Sequence, residues 1–164
     1  MTDNLQRMLR LVEETFDTRN DPDQLQVTRA DLQKLEQIHP STLSQYDDGE
    51  GPVCWILMIP TSTAVMHQFL NNEISERQIL ELTSPGQVYE AIYLCSASVL
   101  QEYRNKGIAK NLSCKSIDAI RSGNPVEALY VWPFSEEGKI LAEKIAYETN
   151  LPLFIRFEKE KSDN

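Results

Sequence analysis

The chain has 164 residues, 41% of them hydrophobic, with 16 Lys and Arg against 25 Asp and Glu and a net charge of -9. That length suits one compact domain with a sizeable core and leaves no room for a second full one. The acidic balance disfavours nucleic acid and anionic membrane surfaces as partners. The longest apolar run, Val53 to Pro60, is far short of the roughly 20 residues of a membrane helix, and the N-terminus lacks a leader pattern, so a soluble, cytoplasmic protein is expected.

Leu5, Met8, Leu9, Val12 and Phe16 recur at steps of three and four, which predicts a first helix capped by Thr2 or Asp3. After the breaker Asn20-Asp21-Pro22-Asp23, Thr28 and Asp31 have capping-box spacing, and Leu32, Leu35 and Ile38 form one face of a second helix that His39-Pro40 ends. Asp47-Asp48-Gly49-Glu50-Gly51 lacks the oxygen spacing of a calcium loop and reads as a solvated turn. Val53 to Pro60 predicts a strand covered on both faces. Val65, Met66, Phe69, Leu70, Ile74, Ile79, Leu80 and Leu82 fit two short helices broken at Asn71-Asn72, the second capped by Ser75.

Val88 to Leu100 then predicts a long strand, Gly107 to Ile120 a helix, Ala128 to Trp132 a strand, Ser135 to Tyr147 a helix and Leu153 to Phe157 a last strand, before the charged tail Glu158 to Asn164. The expected fold class is α/β, a mixed central sheet flanked by helices, with an extra helical segment over residues 1–50. Cys54, Cys95 and Cys114 fall in strand, strand and helix, with no C-x-x-C pair and no histidine at ligand spacing. They read as reduced thiols in or near the core, and no metal site is expected.

Between Gln101 and Arg121 the charge reverses. Arg104, Lys106, Lys110, Lys115 and Arg121 outnumber Glu102 and Asp118, a local +3 against -12 for the remainder. A glycine-bearing loop that enters a helix here would aim unpaired backbone N–H groups and a helix dipole at an anion, which points to a phosphate-bearing ligand. A solvated basic helix face with Gly107 as a turn residue accounts for the charge on its own.

The loop Arg104-Asn105-Lys106-Gly107-Ile108-Ala109 resembles the Q/R-x-x-G-x-G/A signature of the GNAT superfamily of N-acetyltransferases. Val99-Leu100-Gln101-Glu102-Tyr103-Arg104 looks like that family's strand exit, V-x-P-E-Y-R, and the resemblance runs over residues 87–157. It implies acetyl-CoA, or another acyl-CoA, as co-substrate. The backbone around Arg104, Asn105, Lys106, Gly107, Ile108, Ala109 and Lys110 would hold the pyrophosphate. Ala97, Ser98 and Val99, at a strand end that splays from its neighbour, would hold the pantetheine. Gly107 would allow close approach of the phosphate, and Ala109 would keep the first helical turn clear of it.

Amine acylation calls for a base to deprotonate the ammonium and often an acid for the departing thiolate. Leu141-Ala142-Glu143-Lys144-Ile145-Ala146-Tyr147 resembles the family's L-Y-E-K-L-G-F segment with Ala142 where the acid tyrosine stands. Ser135, where the family often has an asparagine, is read as a helix cap. The family's glutamate bases fall by spacing at Tyr93 and Tyr130, neither a carboxylate. Glu90, on the same predicted strand, stands an odd number of positions from Tyr93 and so on the other face. Tyr147 is a stand-in for the missing acid, though core packing is its plainer reading. No catalytic residue is assigned, and Glu90, Tyr93, Tyr130 and Tyr147 are weak candidates. His39 and His67 read as loop and helix-surface residues.

Two functional readings stay open. One is an acyl-CoA-dependent N-acyltransferase that passes its acyl group directly to a primary amine of a small molecule or peptide, the acidic surface suiting a cationic acceptor. The other, drawn from the missing acid and base, is a noncatalytic acyl-CoA sensor or interaction module. A chance motif on another α/β domain is a third. Residues 1–50 have no family role and are candidates to cover the sheet, shape the substrate cleft or form a homodimer contact.

Overall fold

The computed structural model describes residues 2–19 and 24–157, with the backbone alone described for 16–19. The predicted breaker at 20–23, the tail from 158 and the Phe16 side chain lie outside what is described. The elements run α1 (Asp3–Arg19), α2 (Arg29–Ile38), β1 (Leu43–Asp47), β2 (Pro52–Thr61), α3 (Thr63–Leu70), α4 (Glu76–Glu81), β3 (Ala91–Val99), α5 (Ile108–Arg121), β4 (Ala128–Val131), α6 (Glu136–Thr149) and β5 (Leu153–Ile155). The five strands form one sheet in chain order, β1-β2-β3-β4-β5. The first three are antiparallel and the last three parallel, so β3 is the strand where direction changes. This is a mixed, open α/β sheet.

Local chemistry explains most boundaries. Thr2 Oγ1 accepts the Leu5 N–H and caps α1, and Thr28 and Asp31 close the capping box of α2. Ser62, Ser75 and Ser135 cap α3, α4 and α6 through their hydroxyl oxygens. The chain leaves α6 at Asn150 in the left-handed region, where asparagine is tolerated better than most residues. Between α3 and α4, Asn72 has φ 62 and breaks the helix as its sequence suggests.

Three expectations are corrected. On α1 the inward stripe is Asn4, Met8, Leu11 and Thr15, while Leu9 and Val12 are 47% and 40% exposed. Among the described residues the helix packs on the end of the sheet near Val53 and Leu100, where a narrow stripe suffices. On α2 the buried residues are Asp31, Leu35 and Ile38, with Leu32 exposed. Residues 1–50 also contain a strand. β1 has only Leu43 and Tyr46 as large apolar residues, both exposed, because it is an edge strand whose backbone pairing with β2 places it.

The sheet separates two cores. One, with α2, α3 and α4, is built on Leu57, Ile59, Phe69, Tyr93, Tyr130 and Trp132. The other, with α5 and α6, is built on Ile56, Met58, Ile92, Ile117, Leu129 and Ile145. Residues alternate between them along β2, and nine of its ten are buried, with only Trp55 half-buried, as an interior strand between two helical layers requires.

Candidate functional site

β3 and β4 run together for four residue pairs, from Ala91 opposite Ala128 to Leu94 opposite Val131. β4 then ends, while β3 continues to Val99 with β2 alone as its partner. A bulge marks the parting. Leu57 pairs with Ser96 and the next residue, Met58, with Leu94, which leaves Cys95 as the extra residue on β3. Ser96 and Ala97 are consequently exposed although they lie in the middle strand of the sheet.

The parting opens a cleft of about 1120 Å³ between the end of β3, the start of α5, the end of β4 and α6. Ala97, Ser98, Val99, Arg104, Asn105, Gly107, Ile108, Ala109 and Lys110 all line it, so the geometry gathers nearly every predicted binding residue into one place. Lys106 is the exception, with its ammonium over the Tyr103 ring, 5.4 Å from the centroid. The helical end of the cleft is made by Gly107 at φ 78, which turns the chain into α5 and offers no side chain to cap it. The first N–H groups of α5 therefore find no acceptor within the helix, whose first internal bond is from Asn111 N to Gly107 O at 2.9 Å. These donors and their dipole suit an oxyanion.

Neighbouring contacts hold the loop. Arg104 Nε donates to Val99 O at 3.1 Å. Arg7 from α1 donates twice to Glu102, and the Tyr103 hydroxyl donates to Asp48 in the β1–β2 turn. Asp48 also accepts from Asn4 at 3.1 Å, so α1 and the acidic turn brace the loop together. Leu11 and Thr15 of α1 reach the cleft itself, a role for the N-terminal segment that no motif signalled.

The four weak catalytic candidates are not brought together. Glu90 lies before β3 rather than on it, with its backbone N–H donating to Thr61 O at 2.9 Å. At about 3.3 Å per residue it is roughly 20 Å along the strand from Ser96 and the cleft. Tyr93 and Tyr130 are fully buried, their ring centroids 5.0 Å apart, and burial raises both phenols, Tyr130 well above the ordinary tyrosine value. Tyr147 is 86% exposed at the cleft rim, which corrects its core-packing reading. It follows Ala146 on α6, whose buried face is Ala142, Ile145, Ala146 and Thr149. Ala142 and Ser135 also line the cleft, the latter accepting from Gly138 N at 3.0 Å as a cap. His67 is exposed on α3, and His39 Nδ1 accepts from Ser41 N at 3.0 Å.

Two buried charges beside the cleft went unread in the sequence. Glu76, 2% exposed, reaches from α4 to the Tyr93 hydroxyl at 2.5 Å and the Cys95 thiol at 3.7 Å. Arg156, 4% exposed, lies between the Phe69 and Trp132 rings at 4.4 and 4.3 Å from their centroids and donates to Asn72 Oδ1 at 2.7 Å. Both came from segments chosen for apolar periodicity, where one charge carries no periodic signal.

The cysteines are free thiols, Cys54 buried and the other two partly so. Among the described residues no group of three or more His, Cys, Asp or Glu is placed to hold a metal ion, and no helix is long and apolar enough to cross a membrane. No known protein-family model matches the sequence, and no curated protein matches it either.

Proposed function

We propose that the cleft binds an acyl-CoA and that the protein transfers the acyl group directly to a primary amine, as a divergent GNAT-type N-acyltransferase. One observation carries the reading: β3 parts from β4 at the point where a glycine turn opens α5, so a passage through the sheet and an anion-binding helix start share one cleft. A pyrophosphate suits the N–H groups of Ile108, Ala109 and Lys110. Little obstructs it there, since a Cβ on Gly107 would meet only Asn111 Nδ2 at 3.6 Å. The amide-bearing pantetheine suits β3 beyond Leu94, where the backbone side turned away from β2 has no strand partner. Lys110, 3.5 Å from Glu148, and Arg104 add positive charge at the rim. In this reading the acceptor amine loses its proton, attacks the thioester carbon and displaces coenzyme A as thiol, with rate gained chiefly from positioning.

A noncatalytic acyl-CoA sensor is the second reading, favoured by Ala142, buried at 3% where the resemblance expects an acid. Calorimetric titration with acetyl-CoA and dephospho-CoA, beside a Gly107→Trp control, tests what the two readings share. Binding that the control abolishes supports the cleft as the site. No binding at millimolar ligand sinks both. Coenzyme A release with a panel of primary amines then separates enzyme from sensor.

A further inference from the structure

If acyl transfer occurs in this cleft, the sheet dictates where the acceptor must stand. α5 lies on the face of the sheet that carries Ile56, Met58 and Ile92. A ligand anchored at the α5 start and threaded between β3 and β4 therefore presents its reactive end toward the opposite face, the one that carries Leu57, Tyr93 and Trp132. The bulge sets two consecutive side chains on that face. Cys95 packs against the Tyr93 cluster, and Ser96 stands opposite Leu57 of the same cluster. The cleft wall there is Cys95, Ser96, Leu57, Trp132 and Phe134, with Leu11 from α1. None of these is a carboxylate; the carboxylates that line the cleft, Glu137, Glu143 and Glu148, stand on α6, which packs on the other face of the sheet.

The carboxylate is one shell behind. Glu76 Oε1 accepts the Leu25 N–H at 2.8 Å, and Oε2 accepts the Tyr93 hydroxyl at 2.5 Å and the Cys95 thiol at 3.7 Å. Glu76 is the acceptor in each of these contacts, and a relay through it requires its carboxylate form. The charged and titratable groups around it are Tyr93 and Cys95 from β3, Tyr130 stacked on Tyr93 from β4, and Arg156, whose guanidinium donates to Ile74 O at 3.3 Å, two residues before Glu76. Tyr93 is a poor proton source because burial and the Glu76 charge both hold its hydroxyl protonated. Cys95 alone among these partners of Glu76 lines the cleft.

We propose that Glu76 is the proton acceptor of the transfer and that Cys95 hands the proton to it. The ammonium N–H proton passes to Cys95 Sγ as the Cys95 S–H proton passes to Glu76 Oε2. The thiol ends unchanged, the amine neutral and Glu76 protonated. The free amine then forms the C–N bond as the C–S bond of the thioester breaks, the departing thiolate takes the surplus amide proton, and Glu76 later returns its proton to water. Glu76 acts through Cys95 and touches no substrate, so it is a positioning and proton-holding residue. This inference rests on the acyl-transfer reading.

The test compares two acceptors of which one needs a base and the other does not, each variant being read against the wild type with the same acceptor. Spermidine is an ammonium at neutral pH, whereas hydroxylamine is already unprotonated. With acetyl-CoA as donor and thiol release as readout, Glu76→Gln should lower kcat for spermidine by about 100-fold or more and for hydroxylamine by less than about threefold. Cys95→Val should reproduce the selective loss, and Cys95→Ser, which keeps a relay hydroxyl, should restore most of the spermidine rate. Where Glu76→Gln fails to fold by circular dichroism, the Cys95 pair carries the test. Equal losses for both acceptors, no loss for spermidine, or a wild-type protein that binds acetyl-CoA and uses neither acceptor overturns the proposal while leaving the binding reading intact. Failure to bind acetyl-CoA at all refutes the binding reading first, and the relay with it.

Discussion

Arg7 on α1 and Glu102 beyond β3 stand 95 positions apart and meet in two parallel hydrogen bonds of 2.6 and 2.8 Å. The guanidinium holds the Glu102 carboxyl down at about 2, so the pair is charged across the ordinary pH range. Both groups face water, where such a pair adds little to stability and is screened by salt. What it fixes is position: Glu102 sits two residues before Arg104 and the proposed phosphate loop. Arg7→Ala should leave the melting temperature nearly unchanged and weaken acetyl-CoA binding a few-fold, read by calorimetry at low salt. A lowered melting temperature with unchanged affinity would mean the contact serves the fold alone.

Gly107 separates backbone strain from steric blocking. Its φ of 78 penalises an L side chain, yet an added Cβ meets nothing closer than Asn111 Nδ2 at 3.6 Å. Gly107→Ala should therefore cost about 1–2 kcal/mol from conformation alone. Gly107→Asn should cost less, since asparagine tolerates this region, as Asn105 at φ 62 already does in the same loop. Urea denaturation of the two variants checks the order. If alanine proves as cheap as asparagine, the left-handed turn is not what glycine supplies here.

The sequence announced the helix caps and the doubly covered strand. Thr28, Ser75 and Ser135 were legible because a cap needs one side chain at one position, and β2 because both its faces are covered. Gly107 and its neighbours were legible as a motif, and they do gather at one cleft. β1 was not, since pairing rather than hydrophobicity holds an edge strand. Nor was the inward face of α1, where Asn4 and Thr15 turn in and Leu9 and Val12 turn out. Glu76 and Arg156 were hidden for a different reason. A buried charge is justified by partners far along the chain, here Leu25, Tyr93 and Cys95 for one and Asn72, Phe69 and Trp132 for the other.

Tyr93→Phe probes the worth of that buried network. The ring would keep its packing against Phe69 at 4.9 Å and Tyr130 at 5.0 Å, so the change removes one hydroxyl from a filled site. Glu76, 2% exposed, then loses a 2.5 Å hydrogen bond with no access to bulk water. Removing one partner of a buried charged acceptor should cost about 1–3 kcal/mol in urea denaturation. A neutral or stabilising result would imply that Glu76 is compensated elsewhere.

Acid should find a weak point at the opposite end of the same face. Asp31 accepts two hydrogen bonds from Arg77, both 2.8 Å, and another from Thr28 N at 2.8 Å, and these partners hold its carboxyl far below the usual range. A carboxyl depressed in the folded state contributes stability that is complete above its unfolded value of about 3.9 and is lost as pH falls toward the native one. Asp31→Asn should cost about 1–2 kcal/mol near neutral pH, toward the low end because Arg77 keeps 35% of its side chain in water. That difference between variant and wild type should stay constant down to about pH 5 and narrow below about pH 4 as Asp31 takes up its proton. Urea denaturation across an acid series measures it. A difference that persists undiminished in acid would assign the stabilisation to the capping geometry that asparagine disturbs, and not to the carboxylate charge.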